Sequence, residues 1–127
     1  MEFIGCKSFE ADRDFITIQV GSKEFDLHNA AEFEGYSYSI ETGILKLNWK
    51  FYDNYKENDF QNISLIFQQI SSHSISERDN GMPNVEDLCI EKIRFIPREG
   101  NIILIFRGGV EISVICSIVQ FETSIVE

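Results

Sequence analysis

Apolar and polar residues alternate along most of this chain, and the alternation sets the fold class. Leu45, Leu47, Trp49 and Phe51 interleave with Lys46, Asn48, Lys50 and Tyr52, the period of two that gives a strand one buried face and one wet face. The same period runs through Ile16, Ile18 and Val20, through Tyr36, Tyr38 and Ile40, and through Ile63, Leu65 and Phe67. It returns in Val110, Ile112, Val114 and Cys116. Ile102-Ile103-Leu104-Ile105-Phe106 is apolar at every position, which predicts a central strand covered on both faces. Turn formers stand between the runs: Gly21-Ser22-Lys23-Glu24, Glu41-Thr42-Gly43, Pro97-Arg98-Glu99-Gly100-Asn101 and Gly108-Gly109. In the second of these, Gly43 supplies the left-handed residue of a bulged hairpin loop. Strands recurring about every ten residues are the mark of a sandwich, barrel or long meander. The expectation is an all-β fold with at least six strands and at most one or two short helices. Its antiparallel sheet or sheets form a sandwich or a partly open barrel, with residues 1–127 as a single β-rich domain. The predicted core holds Trp49, Phe51, Leu65, Phe67, Leu104, Phe106, Ile112 and Val114.

Three stretches stand outside this rhythm. From Leu27 to Phe33, Asn29 is placed to cap one turn of helix that Gly35 would stop. Between Pro83 and Phe95 a helical stripe competes with a strand over Leu88–Ile96. The strand is preferred, because the turn at 97–101 wants a strand on each side. Residues 71–84 form the one long aperiodic connection, and loops of that length inside a small domain are functional or mobile.

Composition narrows the class without naming a chemistry. The chain has 127 residues, 43% of them hydrophobic and 13% aromatic. That is enough to bury a core without metal or disulfide and excludes disordered, collagenous and coiled-coil chains. Twenty-one acidic residues against eleven basic ones leave a net charge of −10. Nucleic acid and anionic membranes need a basic face and are therefore poor partners. The N-terminus has an acid at Glu2 and no long apolar stretch, so a secretory signal is not written there. Cys6, Cys89 and Cys116 are odd in number and form no CxxC, which reads as reduced core thiols in a cytoplasmic protein.

Candidate chemistry is sparse. No GxSxG elbow, phosphate-binding glycine loop or DxDxDG calcium loop occurs, and no catalytic, cofactor-binding or metal-ligating residue is assigned. Asp26-Leu27-His28 is the best local cluster, with Glu32 and Glu34 following. On an extended segment Asp26 and His28 share a face, where a carboxylate can fix a histidine tautomer or share a metal. The plainer reading is a chain reversal hydrogen-bonded by His28 and Asn29. From Glu24 to Glu41 five acids stand with no Arg or Lys after Lys23. Such a stretch is a solvated face or a negative patch that steers a basic protein. Asp53, Glu57 and Asp59 cluster around the aromatic pair Tyr52 and Tyr55, a combination that polar protein interfaces use. The partner-facing candidates are therefore Asp26, His28, Glu32, Glu34, Asp53 and Tyr55.

Phe25-Asp26-Leu27-His28-Asn29-Ala30, the alternating Tyr36-Ser37-Tyr38, and Leu45-Lys46-Leu47-Asn48-Trp49 after a turn resemble the opening of small bacterial β-domains. Some of those are grouped as immunity proteins of polymorphic toxin systems. The later run Ile102–Phe106, then Gly109 and Val110–Val114, is similar to their closing hairpin. The resemblance implies a non-catalytic protein that neutralises a cognate toxin, and a basic, nuclease-type toxin would suit the charge. The alternative is a small enzyme or ligand-binding β-domain using Asp26, His28 and a nearby glutamate. Oligomeric state is left open.

Overall fold

The computed structural model describes residues 1–52 and 60–125. Among these residues ten strands follow in order: β1 Glu2–Ile4, β2 Asp14–Phe15, β3 Thr17–Val20, β4 Lys23–Asp26, β5 Ala31–Ser39, β6 Ile44–Tyr52, β7 Phe60–Ile75, β8 Ile90–Ile96, β9 Asn101–Phe106 and β10 Glu111–Ile125. A single turn of 3-10 helix, Asn84–Leu88, precedes β8. The fold is all-β, as the alternation predicts. Eight strands form one sheet in the order β2-β8-β9-β10-β7-β6-β5, with β1 beside β10, while β3 and β4 form a separate hairpin.

β10 is the spine. One edge pairs antiparallel with β7 from Ile112 to Ile125. The other edge is shared: residues Glu111–Ile115 pair with β9 and Ile118–Gln120 pair with β1. The β1 pairing is parallel, a departure from the purely antiparallel expectation. A bulge between Ile115 and Cys116 lies between the two sections. Bulges bend and twist a strand, and here the sheet curls until its far strands meet across the core. Phe33 of β5 reaches Phe106 of β9 at 4.6 Å between ring centroids. Phe25 of the β3–β4 hairpin packs on Phe51 at 5.1 Å and Phe121 at 5.2 Å.

All eight predicted core residues lie in one hydrophobic cluster, and Trp49, Leu65, Phe67, Leu104, Ile112 and Val114 are fully buried. The run at β9 departs from its reading. Its exposure alternates, leaving Ile103 and Ile105 partly open. Among the described residues, Ile103 and Ile105 line a shallow depression with Asp14, Lys92, Arg94 and Glu111, where long charged side chains shield apolar surface with their stems.

The stretch from Leu27 to Ala30 is a turn and not a helix, with β5 starting at Ala31. Residues 71–75 belong to β7, so the connection expected over 71–84 begins at Ser76. It is tied down at several points. Ser76 N–H donates to Glu111 C=O at 2.9 Å, and Asp79 N–H to Gly108 C=O at 2.8 Å. Arg78 forks onto Asp87 at 2.9 and 3.2 Å and donates to the Met82 and Pro83 carbonyls. Gly108 has to be bare for this packing, since a Cβ there would overlap the Asp87 carboxylate.

Candidate functional site

The Asp26–Asn29 segment is built as a turn, and its polar groups satisfy the turn. One Asp26 carboxylate oxygen accepts the backbone N–H of His28 at 2.9 Å and of Asn29 at 2.8 Å; the other accepts the Asn29 side-chain amide at 2.8 Å. This is the Asx-turn pattern, in which a short acid mimics a backbone turn. Asp26 therefore orients backbone, not the imidazole. The His28 ring instead meets Ile90 C=O through Nδ1 at 2.6 Å. A carbonyl only accepts, so Nδ1 carries the proton, and His28 pins the turn to the start of β8.

Folding also brings Cys89 to His28, with Sγ 3.5 Å from Nδ1, a pairing that their separation in sequence conceals. A cysteine–histidine dyad needs a ring nitrogen free to take the thiol proton. The nitrogen nearest Cys89 is the one donating to Ile90. The thiol's own acceptors are the Ile90 and His28 carbonyls, at 3.6 and 3.8 Å. Among the described residues no three His, Cys, Asp or Glu side chains converge as a metal would require.

The acidic stretch looks different once folded. Glu32 stands directly across from Lys50 and Ser37 across from Lys46, so β6 supplies cations that the segment itself lacks. Glu34 is set apart. It is the extra residue of a bulge between Phe33 and Gly35, and bulges re-aim side chains. It lines a depression on the outward face of the sheet with Lys46, Asn48, Asn62, Ser64 and Ser124, and makes no ion pair among the described residues. Asp53 and Tyr55, with Glu57 and Asp59, lie outside the described residues.

Beyond this bulge β5 shows the feature that periodicity alone does not reveal. Tyr36 is paired with Leu47 and Tyr38 with Leu45, and directly opposed residues share a face. Both leucines are completely buried, yet Tyr36 is 51% and Tyr38 41% exposed. The core face of the β5–β6 hairpin thus runs on past whatever covers it. Tyr38 stacks on His73 at 4.3 Å. Tyr36 lines a groove of about 260 Å³ with Phe33, Glu34, Gly35, Asp87, Leu88, Phe106, Val110 and Ile112. Leu88 and Val85 on the 3-10 turn, and Ile40 at the hairpin tip, are further exposed apolar residues. Beyond Ser39 no strand pairs with this end of β5, and among the described residues β6 is its sole partner strand.

Comparison with protein-family models, curated proteins and solved structures finds no match to this chain. What the surface offers is therefore a matter of its own chemistry: an aromatic and aliphatic strip and a net charge of −10. Tyrosines with few buried charges are the composition of a protein interface core.

Proposed function

We propose that this chain is a non-catalytic, cytoplasmic protein-binding domain that neutralises a basic partner, in the manner of the immunity proteins its sequence resembles. The observation that carries the reading is the pair Tyr36 and Tyr38, which occupy core-side register positions yet stand half exposed. Side chains on a core face are normally covered, and an uncovered aromatic strip on an isolated domain marks a place where another molecule completes the packing. The whole chain is acidic, with a net charge of −10. An approaching basic surface is therefore steered onto it, and wrong partners are repelled. Asp26 and His28 support the same surface indirectly, because their turn sets where β5 begins.

The test is co-expression with the product of the neighbouring open reading frame in the source genome. Expected is a basic product that arrests growth when expressed alone and is harmless with this chain. The Tyr36→Ala, Tyr38→Ala double variant should lose protection while remaining folded. Protection that survives the double variant unchanged, or a neighbouring product that is harmless by itself, overturns the proposal.

A further inference from the structure

We infer that β5 takes up an antiparallel strand of the partner along its free edge, and that this strand alternates apolar with basic residues. The inference deepens the proposed function, on which it rests for a partner, by stating what the partner presents. The direction of the backbone groups is the first observation. Ser39 C=O turns toward β6 and accepts the Gly43 N–H at 2.8 Å. Successive residues of a strand turn their N–H and C=O groups to opposite edges. Those of Ser37 therefore face β6, and those of Tyr36 and Tyr38 face away from it. That far edge has no partner strand among the described residues, and no turn or loop among them bonds to either tyrosine's backbone. Sheets guard such an edge with charge, proline or a cover. The stretch Tyr36-Ser37-Tyr38-Ser39 has neither charge nor proline, and the bulge at Glu34 ends before it.

Side-chain direction is the second observation. Directly opposed residues of an antiparallel pair share a face. Residues of the incoming strand opposite Tyr36 and Tyr38 therefore lie on the side of the groove, whose far wall is Leu88, Phe106, Val110 and Ile112, and apolar side chains suit them. The intervening residues lie on the outward face. There β5 carries Glu32 and Glu34 and no cation, and the whole chain stands at −10, so lysine or arginine suits those positions. A second copy of β5 fits poorly, because Ala31–Ser39 holds no Lys or Arg to set against these acids.

The experiment titrates the full chain with a short capped peptide of alternating valine and lysine, followed by amide NMR and hydrogen exchange. In the free chain the Tyr36 and Tyr38 amides should exchange quickly and the Ser37 amide slowly. With the peptide bound, exchange at Tyr36 and Tyr38 should slow about tenfold. Methylating the valine nitrogens should weaken binding about tenfold, because those N–H groups are the ones that bond to Tyr36 and Tyr38. Methylating the lysine nitrogens, which point away from β5, should leave binding in place. A valine–glutamate peptide should bind about tenfold more weakly than the lysine peptide. Equal effects of the two methylations, equal binding of the two peptides, or no protection at Tyr36 and Tyr38 overturns the inference. So does protection that grows with the concentration of the chain alone, which would make a second copy the occupant. Rescue of cells from a partner whose complex leaves these two amides exchanging freely removes the added strand and leaves the proposed function standing. Strand addition without rescue does the reverse.

Discussion

Gly35→Ala isolates the conformational cost of the bulge that presents Glu34 and Tyr36. Gly35 has a φ of +132°, in territory that residues with a Cβ rarely enter. A Cβ built there meets no heavy atom within 4 Å, so steric collision contributes nothing and backbone strain is the whole effect. Such strain costs about 1–3 kcal/mol. For a domain of this size that lowers Tm by roughly 4–12 °C. The chain has one escape, which is to close the bulge and slip β5 by a residue. A one-residue slip turns every side chain beyond it to the opposite face, so Tyr36 and Tyr38 would leave the strip and the Tyr38–His73 stack would break. Urea unfolding and thermal melts measure the first outcome, and aromatic NMR contacts between Tyr38 and His73 detect the second. Introducing D-alanine at position 35 by chemical ligation should restore stability, because the mirror-image residue accepts a positive φ. A Gly35→Ala protein as stable as the parent, with the Tyr38–His73 contact intact, would refute the reasoning.

Further expectations follow from burial and charge. Burial pushes the Cys6 and Cys116 thiols up to about 11, so at pH 8 both stay protonated and a thiol reagent should spare them until denaturant is added; rapid native labelling of Cys116 would count against the packing. Asp14 is held below the usual carboxylate range by its hydrogen bond from Arg94, against a smaller opposing effect of desolvation, with the charges of Arg94 and Lys92 adding to the hydrogen bond. The folded value lies below the unfolded one, so this contribution is present above the ordinary range near pH 4 and lost as pH falls through the folded value. Arg94→Ala should raise the Asp14 titration midpoint seen by carboxyl-carbon NMR; an unmoved midpoint would contradict the pairing. Tyr36→Ala should cost at most about 2.5 kcal/mol, since only half the side chain's roughly 200 Å² is buried. Phe67→Ala, at a site with no exposure, should cost about 3–5 kcal/mol; equal losses in denaturant unfolding would mean that the strip is part of the core.

Much of this architecture is legible in the pattern of residues because period two reports which side of a sheet a side chain faces. Leu45, Leu47 and Trp49 are buried where alternation places them, and Gly43 takes its positive φ at the hairpin turn. Alternation says nothing about whether a layer lies opposite. Ile103 and Ile105 therefore read as covered and are only half-buried, and the alternation of Tyr36 and Tyr38 does not show that their face stands open. The polar run Ser71-Ser72-His73-Ser74 hides a strand because its pairing with β10 is long-range, and propensity yields to such pairing. The same limit applies to chemistry. Asp26 and His28 adjoin in sequence but serve separate hydrogen bonds, whereas Cys89 reaches His28 only through the fold. Glu32 and Glu34 look alike as letters, and the register separates them, one opposite Lys50 and the other lifted out by the bulge.

The central claim is that the strip at Tyr36 and Tyr38 is the face a basic protein covers. The most direct measurement places a photoreactive phenylalanine at position 38, or at Ser113 as the control, in the full chain within cells of the source. Ser113 sits on the outer side of β10 beside β9. Irradiation should yield a discrete adduct with a basic protein from position 38 and none from position 113. Equal adducts from both positions, or none from position 38 while the partner is present, would contradict the account.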